Sequence, residues 1–208
     1  MDENHSGLPP EEQEPKKSEN DRPKPGQSLF EWLQMCIICI LGAVFIFNCV
    51  ARLSRVTGHS MDQTLQHGEL MLVWSLGYTP KQGDVVVLNK TTAEFLGGPG
   101  GEAIVKRVIA TGGQTVDIDY ESSTVYVDGQ PLDEPYLWEE MRYPEEMGWY
   151  QMTETHFEVP DGSIFVMGDN RNGSTDSRHE LLGAIDEDYV MGKACLALAP
   201  LSRFGAIK

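Results

Sequence analysis

Two residues of this sequence have both the chemistry and the setting for covalent catalysis: Ser60, in Gly58-His59-Ser60-Met61, and Lys106, in the apolar run Ala103-Ile104-Val105-Lys106-Arg107-Val108-Ile109. A serine hydroxyl needs a base before it can attack a peptide carbonyl. A lysine whose ammonium form is disfavoured by apolar surroundings can be that base. Alternate side chains of a strand face opposite sides, so Lys106 shares a face with Ile104 and Val108, and Arg107 sits with Val105 and Ile109. Either basic residue can be the solvated one, because a lysine at a sheet rim readily keeps its head in water. If Lys106 is the buried one, poising its amine near neutrality takes about 4 kcal/mol of differential destabilisation.

Other bases are weaker on the same reasoning. His59 neighbours Ser60 but points to the opposite side in extended chain, so it should not reach the hydroxyl. His67, His156 and His179 have no supporting motif, and the sequence has no Gly-x-Ser-x-Gly elbow. Ser60-Met61-Asp62-Gln63 also imitates a helix capping box. The third chemically dense segment is Gly168-Asp169-Asn170-Arg171-Asn172-Gly173-Ser174-Thr175-Asp176-Ser177-Arg178, directly after Ile164-Phe165-Val166-Met167. Two readings stand side by side. It is a polar Asp/Asn/Gly turn, or a supporting scaffold in which a hydroxyl orients a neutral amine and an Asp/Arg pair fixes the loop.

The elements that must position these residues follow from patterning. Beyond Arg55 the chain breaks into short alternating or apolar runs separated by Gly, Pro, Asp and Asn, which predicts an all-β, or mainly β, domain over 52–208. Expected strands are Glu69–Trp74, Asp84–Leu88, Ala103–Ile109, Thr115–Ile118, Thr124–Val127 and Ser163–Met167. Short helical pieces are expected near Glu139–Met147 and Asp186–Met191. Asp128-Gly129 marks a tight hairpin, and the glycines from Gly97 to Gly101 mark a loop.

Upstream, residues 1–30 are rich in Glu, Lys, Pro and Ser and offer little to bury, so they read as a disordered tail. The apolar run over 31–51 matches the roughly 20 residues of a membrane-spanning helix. A removable signal peptide is the competing reading, but Val50-Ala51-Arg52 makes a poor small-x-small cleavage site. Lys16, Lys17, Arg22 and Lys24 precede the run and only Arg52 and Arg55 closely follow it. That excess places the tail in the cytoplasm and the large domain outside. Cys36 and Cys39 form a C-x-x-C inside the apolar run, where small soft thiols explain them better than redox chemistry does. A net charge of −16 over 208 residues argues against nucleic acid as a partner.

Taken together, these segments resemble the bacterial type I signal peptidase (leader peptidase) family. Ser60-Met61-x-x-Thr64-Leu65 is similar to its nucleophile box, Gly83-Asp84-Val85-Val86-Val87 to its next strand, and Lys106-Arg107-Val108-Ile109 to its base box. Gly168-Asp169-Asn170-Arg171 with Ser174, Asp176, Ser177 and Arg178 is similar to its last box, and Gly192-Lys193-Ala194 follows. The resemblance implies a signal-peptidase/LexA-like β-barrel-type fold on one transmembrane helix, acting outside the membrane on the signal peptides of secreted preproteins presented at the lipid bilayer. It implies Ser60 as nucleophile and Lys106 as general base and later acid. Ser174 would orient the amine, and Asp176 with Arg178 would form a supporting ion pair. The Ser60 N–H would hold the oxyanion, with any help from Gly58 coming through backbone because some relatives have a hydroxyl residue there. No cofactor and no metal are implied.

The chain departs from the family pattern where Gln63 stands for Pro, where Ala110, Gly112 or Gly113, and Gln114 stand for Gly, Pro and Asp, and where Gly173 stands for Asn. None of these removes a reacting group. They do motivate an alternative from another class, an anchored β-domain that binds peptides or envelope proteins without cutting them.

Overall fold

An unbroken apolar run favours a helix, and the computed structural model, which describes residues 25–45, 50–89, 103–148, 154–180 and 182–207, opens with one: α1, Pro25–Phe45. Pro25 stands at its first position, where a fixed φ and a missing N–H cost nothing. Within it Ser28–Phe45 has a mean hydropathy of 1.9 and is long and apolar enough to cross a membrane. The helix therefore begins before the expected residue 31, and Ala51, expected at the end of the span, already belongs to a strand. Residues 1–24 of the expected tail and the expected glycine loop at Gly97–Gly101 lie outside the described residues.

The rest of the described chain is mainly β, as its patterning predicts. The strands are β1 (Ala51–Arg55), β2 (Leu70–Trp74), β3 (Val85–Leu88), β4 (Ile104–Thr111), β5 (Thr115–Asp119) and β6 (Thr124–Val127). They continue with β7 (Gln130–Pro131), β8 (His156–Glu158), β9 (Ser163–Met167), β10 (Ile185–Asp186), β11 (Val190–Ala199) and β12 (Gly205–Ala206). Two antiparallel sheets result. One runs β1-β2-β11-β3-β4-β9-β10 with β12 added to β11, and the other runs β7-β6-β5-β8. Single 3-10 turns at Pro144–Met147 and Glu187–Tyr189 occupy the two expected helical places.

The six expected strands are present, two of them (Thr124–Val127 and Ser163–Met167) with the expected ends and four with an end shifted by a residue or two. Five others and the hub of the larger sheet are not apparent from patterning. β11 lies between β2 and β3, yet its alternation is broken by register shifts at Val190/Gly192, Ala194/Leu196 and Ala197/Ala199. Each shift moves the following side chains relative to the partner strand, so no period-2 stripe survives in the sequence. β1 is hidden for another reason, because Arg52 and Arg55 read as flanks of the membrane run although they belong to a strand paired with β2.

Three apolar clusters hold the domain. Val56, Met61, Leu65, Met71, Val85, Val87 and Val105 form one. Val86, Leu88, Val108, Ile164 and Val166 form a second, and Ile109, Ala110, Phe165 and Met167 join the smaller sheet in a third. Clusters on both faces of β4 bury it from Val105 to Ala110. Lys106 is 4% and Arg107 2% exposed, so neither is solvated and the rim-lysine reading fails.

Gly192 shows how tightly the hub is built. Its φ is +150, and a Cβ there would run into the Trp74 carbonyl oxygen on β2. Gly192→Ala is expected to cost about 1–3 kcal/mol, seen as a lower denaturation midpoint of the detergent-solubilised protein. An unchanged midpoint would show that the sheet centre yields.

Candidate active site

The segment that carries Ser60, the expected nucleophile, is the tip of the β1–β2 hairpin. Its base is closed by Val56 N–H to Glu69 O at 2.9 Å and Gly68 N–H to Val56 O at 2.8 Å. Beyond that base the chain makes one helical turn, with Leu65 N–H donating to Met61 O at 2.8 Å, and Met61 and Leu65 plug into the first apolar cluster. Burying both residues four apart pins the turn, and Ser60 stands half-buried at its start. The capping-box reading is not realised: Asp62 instead faces the exposed His59 ring at 3.2 Å.

The 168–178 turn leaves the end of β9 and meets this tip. Asn170 donates its main-chain N–H to Ser60 O and its Nδ2 to His59 O, both at 3.0 Å. Thr64 Oγ1 donates to Asp169 Oδ2 at 2.5 Å. A Cβ on Gly168 would fall on Ser60 O and on Ser174 Oγ, so only glycine lets the two segments close. At Gly173 a Cβ would stand 2.5 Å from Asn170 Nδ2, so glycine there leaves room for the amide that grips His59.

Lys106 is brought to the same place by register. Arg107 pairs with Met167 and Val108 with Val166 across β4 and β9, and one further step sets Lys106 opposite Gly168. Directly opposed residues of an antiparallel pair share a face. The Lys106 side chain therefore leaves the sheet on the face where the bare Gly168 meets Ser60 and Ser174. Ser174 Oγ is fully buried and has no hydrogen-bond partner among the described residues.

The surrounding charges are matched in pairs. Asp176 takes both Arg178 Nε and Nη2 at 2.8 and 2.9 Å and also accepts from Gly168 N–H at 2.9 Å. Asp169 takes Arg107 Nε and Nη2 at 2.8 and 2.7 Å, and the Arg107 guanidinium lies 3.8 Å over the Tyr136 ring. Arg171 pairs with Glu134 and donates Nε to Gly168 O at 3.2 Å. Burial pushes the Asp176 carboxyl up, but Arg178 and then Lys106 outweigh it and hold it below the usual range. For Lys106 burial dominates. Asp176 pulls its pKa up, Arg178 pushes it down and Asp169 pulls it up again, leaving the amine lowered to about 8.

The expected residues Ser60, Lys106, Ser174, Asp176 and Arg178 thus converge on one end of β4 and β9. Gly58 does not fit its expectation as simply. With φ at +94 it donates its N–H to His67 Nδ1 at 3.1 Å, so that backbone donor is engaged. The Ser60 N–H has no acceptor among the described residues. His156 is exposed and paired with Asp117 across β5 and β8, in the other sheet. Arg107, Asp169, Thr64 and Glu134 form a scaffold that the sequence left unassigned. The usable signal was an arginine inside a continuous apolar strand, which must find a buried carboxylate.

A cavity of about 480 Å³ opens beside the tip, lined by His59, Asp62, Gln63, Gln66, His67 and Trp138. Among the described residues no cluster of His, Cys, Asp or Glu is arranged to hold a metal ion.

Known proteins share this sequence pattern. Signal peptidase I from Bacillus licheniformis is 36% identical over 180 residues, covering 84% of this chain and 91% of its own. The probable signal peptidase I-1 of a Synechocystis strain is 33% identical over 189 residues, covering 89% and 90%. The crystal structure of a signal peptidase I from Enterococcus faecalis V583 superposes with a TM-score of 0.42 at 26% identity, over 56% of this chain and 97% of that one. The family model described as signal peptidase, peptidase S26, matches residues 29–199, a stretch that contains the hairpin tip, β4 and the whole 168–178 turn. With its sequence matched from the apolar helix to the end of β11, the chain belongs to the signal peptidase, peptidase S26, family.

Proposed function

We infer that this chain is a serine endopeptidase that removes N-terminal signal peptides from exported preproteins, with Ser60 as nucleophile and Lys106 as general base. The observation that carries the assignment of residues is the buried Lys106 amine, lowered to about 8 and set across from Gly168, where Ser60 and the unpartnered Ser174 hydroxyl meet. The relatives named above are signal peptidases, and none of the departures at Gln63, Ala110 or Gly173 removes a reacting group. No observation favours the non-cutting peptide-binding alternative.

In this mechanism neutral Lys106 Nζ takes the proton from Ser60 Oγ as the oxygen bonds to the scissile carbonyl carbon. The Ser60 N–H receives the developing oxyanion. Collapse breaks the C–N bond, and the Lys106 ammonium returns its proton to the leaving amine of the mature protein. Water then attacks the Ser60 ester and gives a proton to Lys106, which passes it to Ser60 Oγ as the ester C–O bond breaks; the signal peptide leaves as a carboxylic acid that ionises in solvent. Ser174 Oγ accepts a hydrogen bond from the amine and aims it, while the Asp176–Arg178 pair holds the turn that carries Ser174. Helix α1 anchors the enzyme with the N-terminal tail in the cytoplasm and residues 52–208 outside, so that enzyme and signal peptide meet in the thin layer of the bilayer surface.

Three outcomes test this reading. Wild-type protein in detergent is expected to cleave a preprotein, and Ser60→Ala and Lys106→Met are each expected to lower kcat at least about 1,000-fold. Full activity in either variant would remove that residue from the mechanism. Because the working base is the neutral amine, kcat/KM is expected to rise with pH through a midpoint near about 8. A flat profile between pH 6 and 9 would argue for another base.

The third outcome concerns stability. The folded pKa of Lys106 lies below its unfolded value of 10.5, so the unfolded chain binds more protons between about 8 and 10.5. The penalty of burying the amine is thus full below about pH 8 and gone above 10.5. At pH 7 Lys106→Met is expected to be stabilised by about 3 kcal/mol relative to wild type. That gain should fade as the pH is raised toward 10.5 in thermal melts. A destabilised Lys106→Met protein would mean the amine is not held at an energetic cost.

A further inference from the structure

The nucleophile turn contains a conformation that its sequence should resist. Gln63 has φ +83, in the left-handed region, although it is neither glycine nor asparagine. Proline, the usual residue of the resembling family at this place, cannot adopt that angle. Something outside the turn must therefore hold it. The C-terminal segment supplies the contact: Arg203 Nη2 donates to Gln63 O at 3.0 Å and to Thr64 O at 3.3 Å. The other edge of the same guanidinium faces Glu69, with Nε against Oε1 as an ion pair. Glu69 is only 3% exposed and closes the far end of the turn, accepting the Gln66 N–H at 3.1 Å.

Arg203 is itself fixed. It ends the 3-10 turn Leu201–Arg203, in which its N–H donates to Pro200 O at 2.9 Å. The chain then returns along β11, with Leu196 opposite Ala206 and Ala197 opposite Gly205. One planar fork thus ties the C-terminal segment to the second half of the turn that presents Ser60 and to Glu69 beyond it, and it lies beyond the 29–199 stretch matched by the family. The tip receives two long-range clamps, Asn170 on His59 and Ser60 from one side and Arg203 on Gln63 and Thr64 from the other.

We propose that Arg203 is a positioning residue for the cleavage reaction: anchored on Glu69, it holds the left-handed Gln63 and thereby the Ser60 hydroxyl and N–H in their working geometry. The proposal rests on the Ser60/Lys106 reading above. It concerns alignment alone, so loss of Arg203 should lower kcat and leave substrate affinity and the titration of Lys106 in place. Glycine at position 63 has no Cβ to strain, so it should hold the turn without help.

The test compares full-length wild type, Arg203→Ala, Arg203→Lys, Gln63→Gly and the Gln63→Gly/Arg203→Ala double variant on one preprotein, with melting temperatures measured beside kcat and KM. Arg203→Ala is expected to lose about 10-fold or more in kcat with KM within about 2-fold and the pH midpoint unmoved. Arg203→Lys, whose single ammonium cannot serve Glu69 and two carbonyls together, should fall between the two. The double variant should recover kcat to within about 3-fold of Gln63→Gly. A purely structural role predicts a lower melting temperature with no such recovery.

Unchanged kcat in Arg203→Ala, or a loss that Gln63→Gly does not relieve, overturns the proposal. Should Arg203→Ala fail to fold, Arg203→Lys with and without Gln63→Gly gives the same comparison, and an Arg203→Lys kcat equal to wild type, or a deficit that Gln63→Gly leaves unrelieved, overturns it. Wild type and Ser60→Ala run in the same assay keep the two readings apart. Cleavage by wild type that Ser60→Ala lacks leaves the enzyme assignment standing whatever Arg203 does.

Discussion

A lysine held in the protein interior with no carboxylate of its own among the described residues is the constraint on which the rest of the site depends. Three buried arginines and three carboxylates lie around it, and all are engaged with one another: Arg107 with Asp169, Arg178 with Asp176, Arg171 with Glu134. The two carboxylates that act on Lys106 are also saturated by other donors, Asp176 by the Gly168 N–H and Asp169 by Thr64. Their pull on the ammonium is therefore weakened, and desolvation sets the balance. An unpaired Asp176 would be the natural counterion of Lys106 and would restore its charge. Arg178 thus adds to the effect of the apolar walls, because it occupies the carboxylate that pulls most strongly on the ammonium.

The same pairing explains how so polar a turn can be buried. Breaking one member of a buried ion pair typically costs about 3–5 kcal/mol because the other charge is stranded. In the 168–178 turn each charge is bound from two directions. Arg178 Nη2 also donates to Arg171 O at 2.8 Å, and Arg171 returns to Gly168 O. The turn is consequently rigid enough to serve as a template, and the Ser60 hairpin is docked onto it through Asn170. Rigidity matters because alignment of a nucleophile and base accounts for a large part of such catalysis. Gly168 then has a clear physical task. Any side chain there would separate Ser60 from Ser174 and move both away from the strand that carries Lys106.

Much of this was legible in the residues themselves, and the illegible part has identifiable causes. Strands with clean boundaries, such as Thr124–Val127 and Ser163–Met167, follow directly from their apolar runs and flanking turns. Of the proposed reacting groups, Lys106 stood out because a lysine inside an apolar strand is chemically conspicuous, and Ser60 because Ser60-Met61-x-x-Thr64-Leu65 resembles the family's nucleophile box. β11 did not, since bulges erase the alternation on which strand recognition depends. The scaffold around the site was only half visible. Asp176 and Arg178 are close in sequence, whereas Arg107 and Asp169 are joined only by the pairing of β4 with β9. Arg203 and Glu69 meet because β11 pairs with β2, with Ala199 opposite Leu70, and the turn that ends in Arg203 follows directly, which no local pattern announces.

The nucleophile turn brings these threads together through its backbone. Gly58, Gln63 and Gly68 all have positive φ, at +94, +83 and +88. Two of these angles are free of cost because they fall on glycine, and the third, on glutamine, costs about 1–2 kcal/mol. A chain that keeps glutamine there needs a compensating force at that carbonyl, and the fork of Arg203 is the contact the fold offers. The Gly58 N–H is meanwhile engaged by His67, whereas the Ser60 N–H is one of those in this turn with no acceptor among the described residues. In the proposed reaction a donor left unengaged at Ser60 is what the oxyanion requires. The left-handed angle at position 63 and the Arg203 clamp are therefore two parts of one arrangement: a strained residue in the turn is bound from outside by the guanidinium at its carbonyl.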